Sequence, residues 1–424
     1  MYGWASLGMW TAAFLTFFIP EAVAVLVFSR REPGEGGIYL WTRRQFGEAH
    51  GFISGWCYWT NNLFYIPVLL VYMAGIFAFA SGPRSAALVD NRLFVGGIVF
   101  GWLAVIAAAN VRGLAIGKWI QNVGGISTAL SVGLVVAAAA AAGLAGSRPP
   151  PPAMTAWGWD RAAAFAVMCN AFVGVELAST MGDEIRDASH ALPVAVYLAG
   201  GISLLSYLVA TAAVLALVPA GQLGAIQGVM QAVTAGAIKA QAGWIVGPLA
   251  VLMGLSIGGT ASAWFAGSSR IPFVAGLSHA LPPILGRVHP RWHSPHIALL
   301  TCAALAAVFA AWSLVGSGVA EAYQVLLKSA VAIQLVPFAY LFAALLTIEG
   351  AAIPARVAGV VGLVATLGSL VAAFVPTADV QSVLIFETKM AAGVAGPIAV
   401  GWVLFRRARR IEGRAGHRHP AVRA

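Results

Sequence analysis

Apolar residues run along this chain in eleven long blocks, at 4–29, 51–80, 92–111, 121–145, 161–181, 194–218, 243–267, 295–316, 320–347, 353–375 and 381–405, separated by polar segments. An α-helix rises about 1.5 Å per residue and needs roughly 20 residues to cross a ~30 Å hydrocarbon core, which every block approaches or exceeds. The pattern predicts an all-α polytopic membrane protein with about 11 transmembrane helices.

One block departs from the others. Phe165 to Pro193, FAVMCNAFVGVELASTMGDEIRDASHALP, carries Asn170, Gly174 and Glu176 within a membrane-length apolar run, then an acidic and basic cluster closed by a proline. A helix in lipid has to satisfy its own backbone hydrogen bonds. A polar, glycine-containing interruption at mid-depth is therefore sustained where the loosened backbone lines a cavity or meets a ligand. The residues alone leave open a plainer reading, a packing glycine in a helix that merely kinks.

Composition supports the membrane class. The 424 residues are 60% hydrophobic and 9% charged, with 14 Trp and a mean hydropathy of +0.85, which leaves too little charge for a separate soluble domain. A net charge of +10 would suggest a nucleic-acid partner in a soluble protein; here its distribution describes topology, and no nucleic acid is expected. One set of alternate loops holds Arg30, Arg31, Arg43, Arg44, Arg112, Lys118, Arg186, Arg270, Arg287, Arg291, Arg356 and the tail from Arg406 to Arg423. The opposite set holds Arg84, Arg92, Arg148, Arg161 and Lys239. The positive-inside rule places the first set, and the C-terminus, in the cytoplasm and Met1 outside. The tail Arg406-Arg407-Ala408-Arg409-Arg410 then anchors the topology at anionic headgroups of the bilayer.

Other chemistries lack a centre. Cys57, Cys169 and Cys302 all lie in apolar runs, without metal-ligand spacing. His289, His293 and His296 are separated by Pro290 and Pro295 and joined by no Cys or carboxylate, so no metal site is expected. No phosphate loop, nucleophile elbow or HExxH occurs, and no cofactor or enzymatic activity is expected.

Three motifs carry a family likeness. Pro33-Gly34-Glu35-Gly36-Gly37-Ile38-Tyr39-Leu40-Trp41, followed by Phe46-Gly47 and Gly55-Trp56-Cys57-Tyr58-Trp59, resembles the signature after the second helix of amino acid-polyamine-organocation permeases. Ala171-Phe172-Val173-Gly174-Val175-Glu176 is similar to the F-x-G-x-E of their broken sixth helix. Arg270-Ile271-Pro272-Phe273 with Leu281-Pro282 is similar to the loop after their eighth. The resemblance implies a leucine-transporter-like inverted-repeat bundle, whose first and sixth helices unwind at mid-membrane to hold the substrate. It implies a permease domain over 1–405, matching family helices two to twelve, and a basic cytoplasmic tail over 406–424. The alignment begins at the family's second helix, so the first, with its glycine-rich kink, is expected upstream of Met1.

The implied function is secondary active transport of amino acids or related amines across the cytoplasmic membrane, by alternating access around the broken helix at 165–182. A half-helix N-terminus suits a carboxylate and free carbonyls suit an ammonium. The implied substrate-binding residues are Asn170, Ala171, Phe172, Val173 and Gly174, with Asn62 and Tyr65 from the third family helix. For Asn61 and Asn62, hydrogen bonding that only joins helices is an equal alternative. Asn170 stands where antiporters of the family often carry a tryptophan, which favours a neutral or small polar amino acid over an arginine-like one.

Ionisable residues inside spans are costly and carry a functional expectation by default. They are Glu21, Glu176, Lys328, Glu387 and Lys389. Glu176 is the leading gating or coupling residue, with a structural hydrogen-bond acceptor as its alternative; Lys328 follows Glu321 on one helix face. Ser256 and Thr260 offer hydroxyls for sodium, although small residues there equally serve helix packing. The coupling ion stays open between Na+ and H+, and uptake stays open against exchange. The alternatives in class are a truncated, non-transporting relative and a channel, and the sequence does not fix the oligomeric state. A reporter fused after Arg410 is expected to read as cytoplasmic and one in 146–158 as external; a cytoplasmic result for 146–158 overturns the helix count.

Overall fold

The computed structural model describes residues 3–31, 37–144, 158–177, 188–219, 223, 227–277, 281–314, 319–376 and 383–416. They form helices and connecting turns, and among them no strand is formed. The first span consists of α1 (Ala5–Ala13), a π-helical turn (Phe14–Phe18) and α2 (Ile19–Arg31). A short α3 (Ile38–Phe46) precedes α4 (Glu48–Phe77), which continues as a 3-10 segment to Arg84. Then come α5 (Ser85–Val89), α6 (Arg92–Val111), α7 (Leu114–Leu144), α8 (Trp159–Phe172), α9 (Ala188–Leu217) and α10 (Gly228–Lys239). The chain goes on through α11 (Val246–Ser268), α12 (Arg270–Leu277), α13 (His296–Leu314), α14 (Val319–Thr347), α15 (Ile353–Ala373) and α16 (Val383–Gly416).

Nine helical segments among the described residues are long and apolar enough to cross a membrane, and the shorter α8 and α13 take the two remaining apolar blocks. The interior spans are α4 and α14, whereas α9 and α16 lie at the periphery. α4 is central: it packs against α3, α6, α11, α13, α14 and α16. Such a helix is apolar on every side, so its polar residues have to find partners within the bundle.

Close approach explains the glycines of the first motif. A Cβ on Gly51 would lie 2.6 Å from the Arg43 Cα, and one on Gly55 would lie 2.8 Å from the Tyr39 ring. These two positions seat α3 against α4 and bury Tyr39 and Trp41. Small residues set the α7–α11 seam in the same way, Gly124 and Gly259 meeting so closely that a Cβ on either would lie 2.6 Å from the other's Cα. In the first span Pro20 has no N–H to offer the preceding turn, and the π-helical turn at Phe14–Phe18 ends two residues before it.

Helix ends differ from the apolar pattern at several places. Pro193 does not close the broken segment; it sits inside α9, near its start, where few intrahelical bonds precede it. α7 begins at Leu114, seven residues before the apolar block, so Lys118 is helical. α16 runs without interruption across 405/406 to Gly416, with Arg406 over the Trp402 ring and Arg409 over the Phe405 ring. Residues 33–36 of the first motif, Arg148 and the 146–157 loop, the 178–187 cluster including Arg186, and His417 and His419 lie outside the described residues, as does the side chain of Glu321. Gly259→Leu is expected to lower the melting temperature of detergent-solubilised protein, overpacking against backbone costing roughly 1–3 kcal/mol. Gly125→Leu, where a Cβ meets nothing within 4 Å, is expected to leave it unchanged.

Candidate functional site

The broken helix ends α8 at Phe172. Val173 turns extended, with φ −61° and ψ 137°, and its N–H donates to the Asn170 carbonyl at 3.3 Å. Gly174 follows at φ +144°, a left-handed value that favours glycine. The chain then makes a single tight turn, Leu177 N–H donating to the Gly174 carbonyl at 3.1 Å. The expected interruption is therefore a true break of the backbone and not a kink in a continuous helix.

Glu176 fastens this break. Its Oε2 accepts the Gly174 N–H at 2.7 Å and its Oε1 accepts the Tyr58 hydroxyl of α4 at 2.8 Å, and the side chain is fully buried. One carboxyl thus satisfies an amide freed by the break and ties it to the central helix. On the other side of α8, the Tyr207 hydroxyl of α9 donates to the Ala171 carbonyl at 2.7 Å. Partnering both sides keeps a non-helical backbone stable at membrane depth.

Tyr58, Asn62 and Tyr65 recur at helical spacing along one face of α4. Asn62 is fully buried; its Nδ2 donates back to the Tyr58 carbonyl at 2.9 Å, and its Oδ1 has no hydrogen-bond partner among the described residues. Asn170 Oδ1, at the last turn of α8, is likewise unpartnered. Trp264 of α11 joins the two walls: its ring lies 3.6 Å from where a Gly174 Cβ would stand, edge-on to Tyr65 with centroids 5.6 Å apart. Phe172 points away, into an aromatic group with Trp10, Phe14, Phe18 and Tyr207.

The structure thus brings Asn62, Tyr65, Asn170, Ala171, Val173, Gly174 and Glu176 to one region, with Phe172 bracing it from behind. Ser256, Thr260 and Lys328 lie elsewhere. Ser256 Oγ pairs with the Thr128 hydroxyl at 2.6 Å across the α7–α11 seam, while Thr260 is exposed and donates to the Ser256 carbonyl. Lys328 is buried in α14, with its ammonium donating to the Val375 carbonyl just past α15 and lying 4.9 Å from the Phe386 ring centroid. A cation at a helix C-terminus is favourably placed, and Lys328 tethers α15 in this way.

Tyr58, Tyr207 and Trp264 were not legible as members of the site. Tyr58 carried a signal, four residues before Asn62 on the same face. Trp264 and Tyr207 sit in apolar runs with no local mark.

The described helices form an all-α bundle, nine of its segments long and apolar enough to cross a membrane, around this fastened break. The family model described as amino acid permease matches residues 2–405, and the chain belongs to this family. It is a multi-pass transporter of amino acids or amines, and not an enzyme. It is 22% identical to an uncharacterized transporter of Legionella pneumophila over 92% of this chain and 88% of that one. It is 27% identical to a transporter of Mycobacterium tuberculosis over 72% of this chain and 65% of that protein. It is 25% identical to the low-affinity putrescine importer PlaP of Escherichia coli over 65% of this chain and 61% of the importer.

Tyr58→Phe removes a hydrogen bond to a carboxyl group, an interaction worth roughly 1.5–3 kcal/mol when the acceptor is charged, and is expected to lower the melting temperature in detergent. Gly174→Ala, at φ +144°, is expected to cost about 1–3 kcal/mol although the space beside it is open enough for a methyl group. Melting temperatures of both variants equal to wild type contradict the fastened break.

Proposed function

We propose that this chain is a secondary active transporter of the cell membrane that moves a small amino acid or amine by alternating access around the break at Val173–Gly174. The observation that supports this most is the juxtaposition of freed backbone with unpartnered buried amides. Asn62 Oδ1 and Asn170 Oδ1 are acceptors awaiting a donor, and a primary ammonium supplies three. In this reading, movement of the break releases the Gly174 amide from Glu176 and the Ala171 carbonyl from Tyr207 for a carboxylate or an amine.

The substrate-binding set is Asn62, Tyr65, Asn170, Ala171, Val173 and Gly174, extended by Trp264. Glu176 serves gating or coupling, since any motion of the break has to carry or release its bonds to Gly174 and Tyr58. Lys328 acts on the same cycle through the end of α15. The basic end of α16 lies at the cytoplasmic face in this reading, and the coupling ion is Na+ or H+. Asn170 in place of an aromatic residue favours a neutral or small polar amino acid. The Trp264 ring favours a second reading, an amine held by a cation–π contact worth about 0.5–2 kcal/mol.

Uptake into proteoliposomes of labelled L-alanine, L-glutamine, L-arginine and putrescine discriminates the two. Saturable, exchangeable uptake is expected. Asn62→Ala is expected to raise the half-saturating concentration roughly tenfold, the loss of a hydrogen bond to a charged group. Trp264→Leu is expected to impair arginine and putrescine selectively if the amine reading holds. Uptake that never saturates points to a channel, and no uptake of any probe points to a non-transporting relative.

A further inference from the structure

The break has a second acidic group that the transport reading leaves unused. Glu21 stands at the start of α2, directly after the π-helical turn and Pro20, and is fully buried. Its carboxyl meets that of Glu176 across the gap between α2 and the break, and it also comes near the Gly174 and Glu176 amides. Neither oxygen reaches hydrogen-bond geometry with any donor among the described residues. Two donors at this spot, the Tyr58 hydroxyl and the Gly174 N–H, go to Glu176.

We infer that Glu21 and Glu176 form a carboxyl pair that holds one proton between them, and that this pair is the proton-coupling site of the transporter. The inference rests on the transport reading for its second half only. Two ionised carboxylates in contact, shielded from water, repel strongly, and both Glu21 oxygens lack a donor among the described residues. A proton on either carboxyl removes one charge and supplies the missing donor: the O–H of one acid donates to the carboxylate of the other. Departure of that proton leaves two negative charges at a fully buried spot. The relief available is separation of α2 from the break, the movement that would loosen Gly174 and open the neighbouring backbone.

The titratable groups that the neighbouring helices bring toward the pair are engaged as follows. From α4 the group facing it is Tyr58, which donates to Glu176. α15, packed against both α2 and α8, carries Arg356 at its beginning and no further titratable side chain. α9 contributes Tyr207, which is bonded to the Ala171 carbonyl. α14 contributes Lys328, whose ammonium goes to the Val375 carbonyl and the Phe386 ring. A sodium ion is a poorer occupant than a proton here, because the Tyr58 hydroxyl and Gly174 amide point hydrogens, not lone pairs, at Glu176.

Infrared difference spectra of the purified full chain in liposomes, taken without sodium from acidic to alkaline buffer in light and heavy water, read the acid carbonyl band directly. The wild type is expected to show a buried, deuterium-sensitive carboxylic acid band at neutral pH. E21Q and E176Q each leave a single carboxylate and are each expected to lose it while keeping the wild-type elution profile. Absence of the band from wild type, or its persistence in both variants, overturns the shared proton; discharge of the band by sodium but not by potassium at fixed pH overturns it in favour of a sodium site. Accumulation of labelled L-alanine or putrescine under an imposed inward proton gradient tests the coupling, with a fall of roughly tenfold or more expected in E21Q. Equal gradient-driven accumulation in E21Q and wild type overturns the coupling role. If wild type transports neither probe, the transport reading fails while the infrared band still decides whether the proton is shared.

Discussion

The bond from the Gly174 amide to Glu176, with Tyr58 holding the same carboxyl from the opposite side, is the constraint on which the interior of this bundle depends. In a hydrocarbon environment a helix breaks only if the groups it frees are met again, because each unsatisfied one costs several kcal/mol. Glu176 meets the amide side and Tyr207 the carbonyl side, so the break is held between the central α4 and the peripheral α9. That arrangement couples backbone geometry at the site to the relative placement of whole helices. In the proposed alternating-access reading, such coupling lets the binding site change access when the bundle rearranges.

The rest of the architecture serves to hold α4 fixed. Gly51 and Gly55 let α3 lie directly on it, and the Trp56 indole N–H reaches the Pro397 carbonyl of α16 at 2.7 Å. Gly254 and Gly258 of α11 receive Phe77 at the end of α4 and Trp102 of α6. Aromatic side chains seated on glycines give large buried contact with little rotamer freedom, which suits a scaffold against which other helices move. The π-helical turn in the first span has the opposite character, a loosened turn placed just before Glu21.

The fold was legible because membrane insertion writes it in long apolar blocks, each of which is helical over much of its described length, the one at 161–181 with a break. The break was legible at Gly174 and Glu176, since a glycine beside a carboxylate has little other use at that depth. Boundaries were less so: Pro193 reads as a stop, yet near the start of a helix it lacks few bonds and α9 runs through it. Ser256 and Thr260 lie away from the break: the Ser256 hydroxyl pairs with Thr128 across the α7–α11 seam, and the Thr260 hydroxyl donates to the Ser256 carbonyl of its own helix. Trp264 and Glu21 were the hardest to place. Their role comes from which helices touch, and no local pattern in α11 or α2 encodes that they converge on residues 173–176.

Hydrogen–deuterium exchange of the reconstituted chain, read on a peptide spanning 170–177, tests the fastened break most directly and needs no substrate. The account predicts slow exchange at Gly174 in wild type and much faster exchange in Glu176→Ala, with Tyr58→Phe between them. Fast exchange at Gly174 in wild type, or protection unchanged in Glu176→Ala, would contradict it.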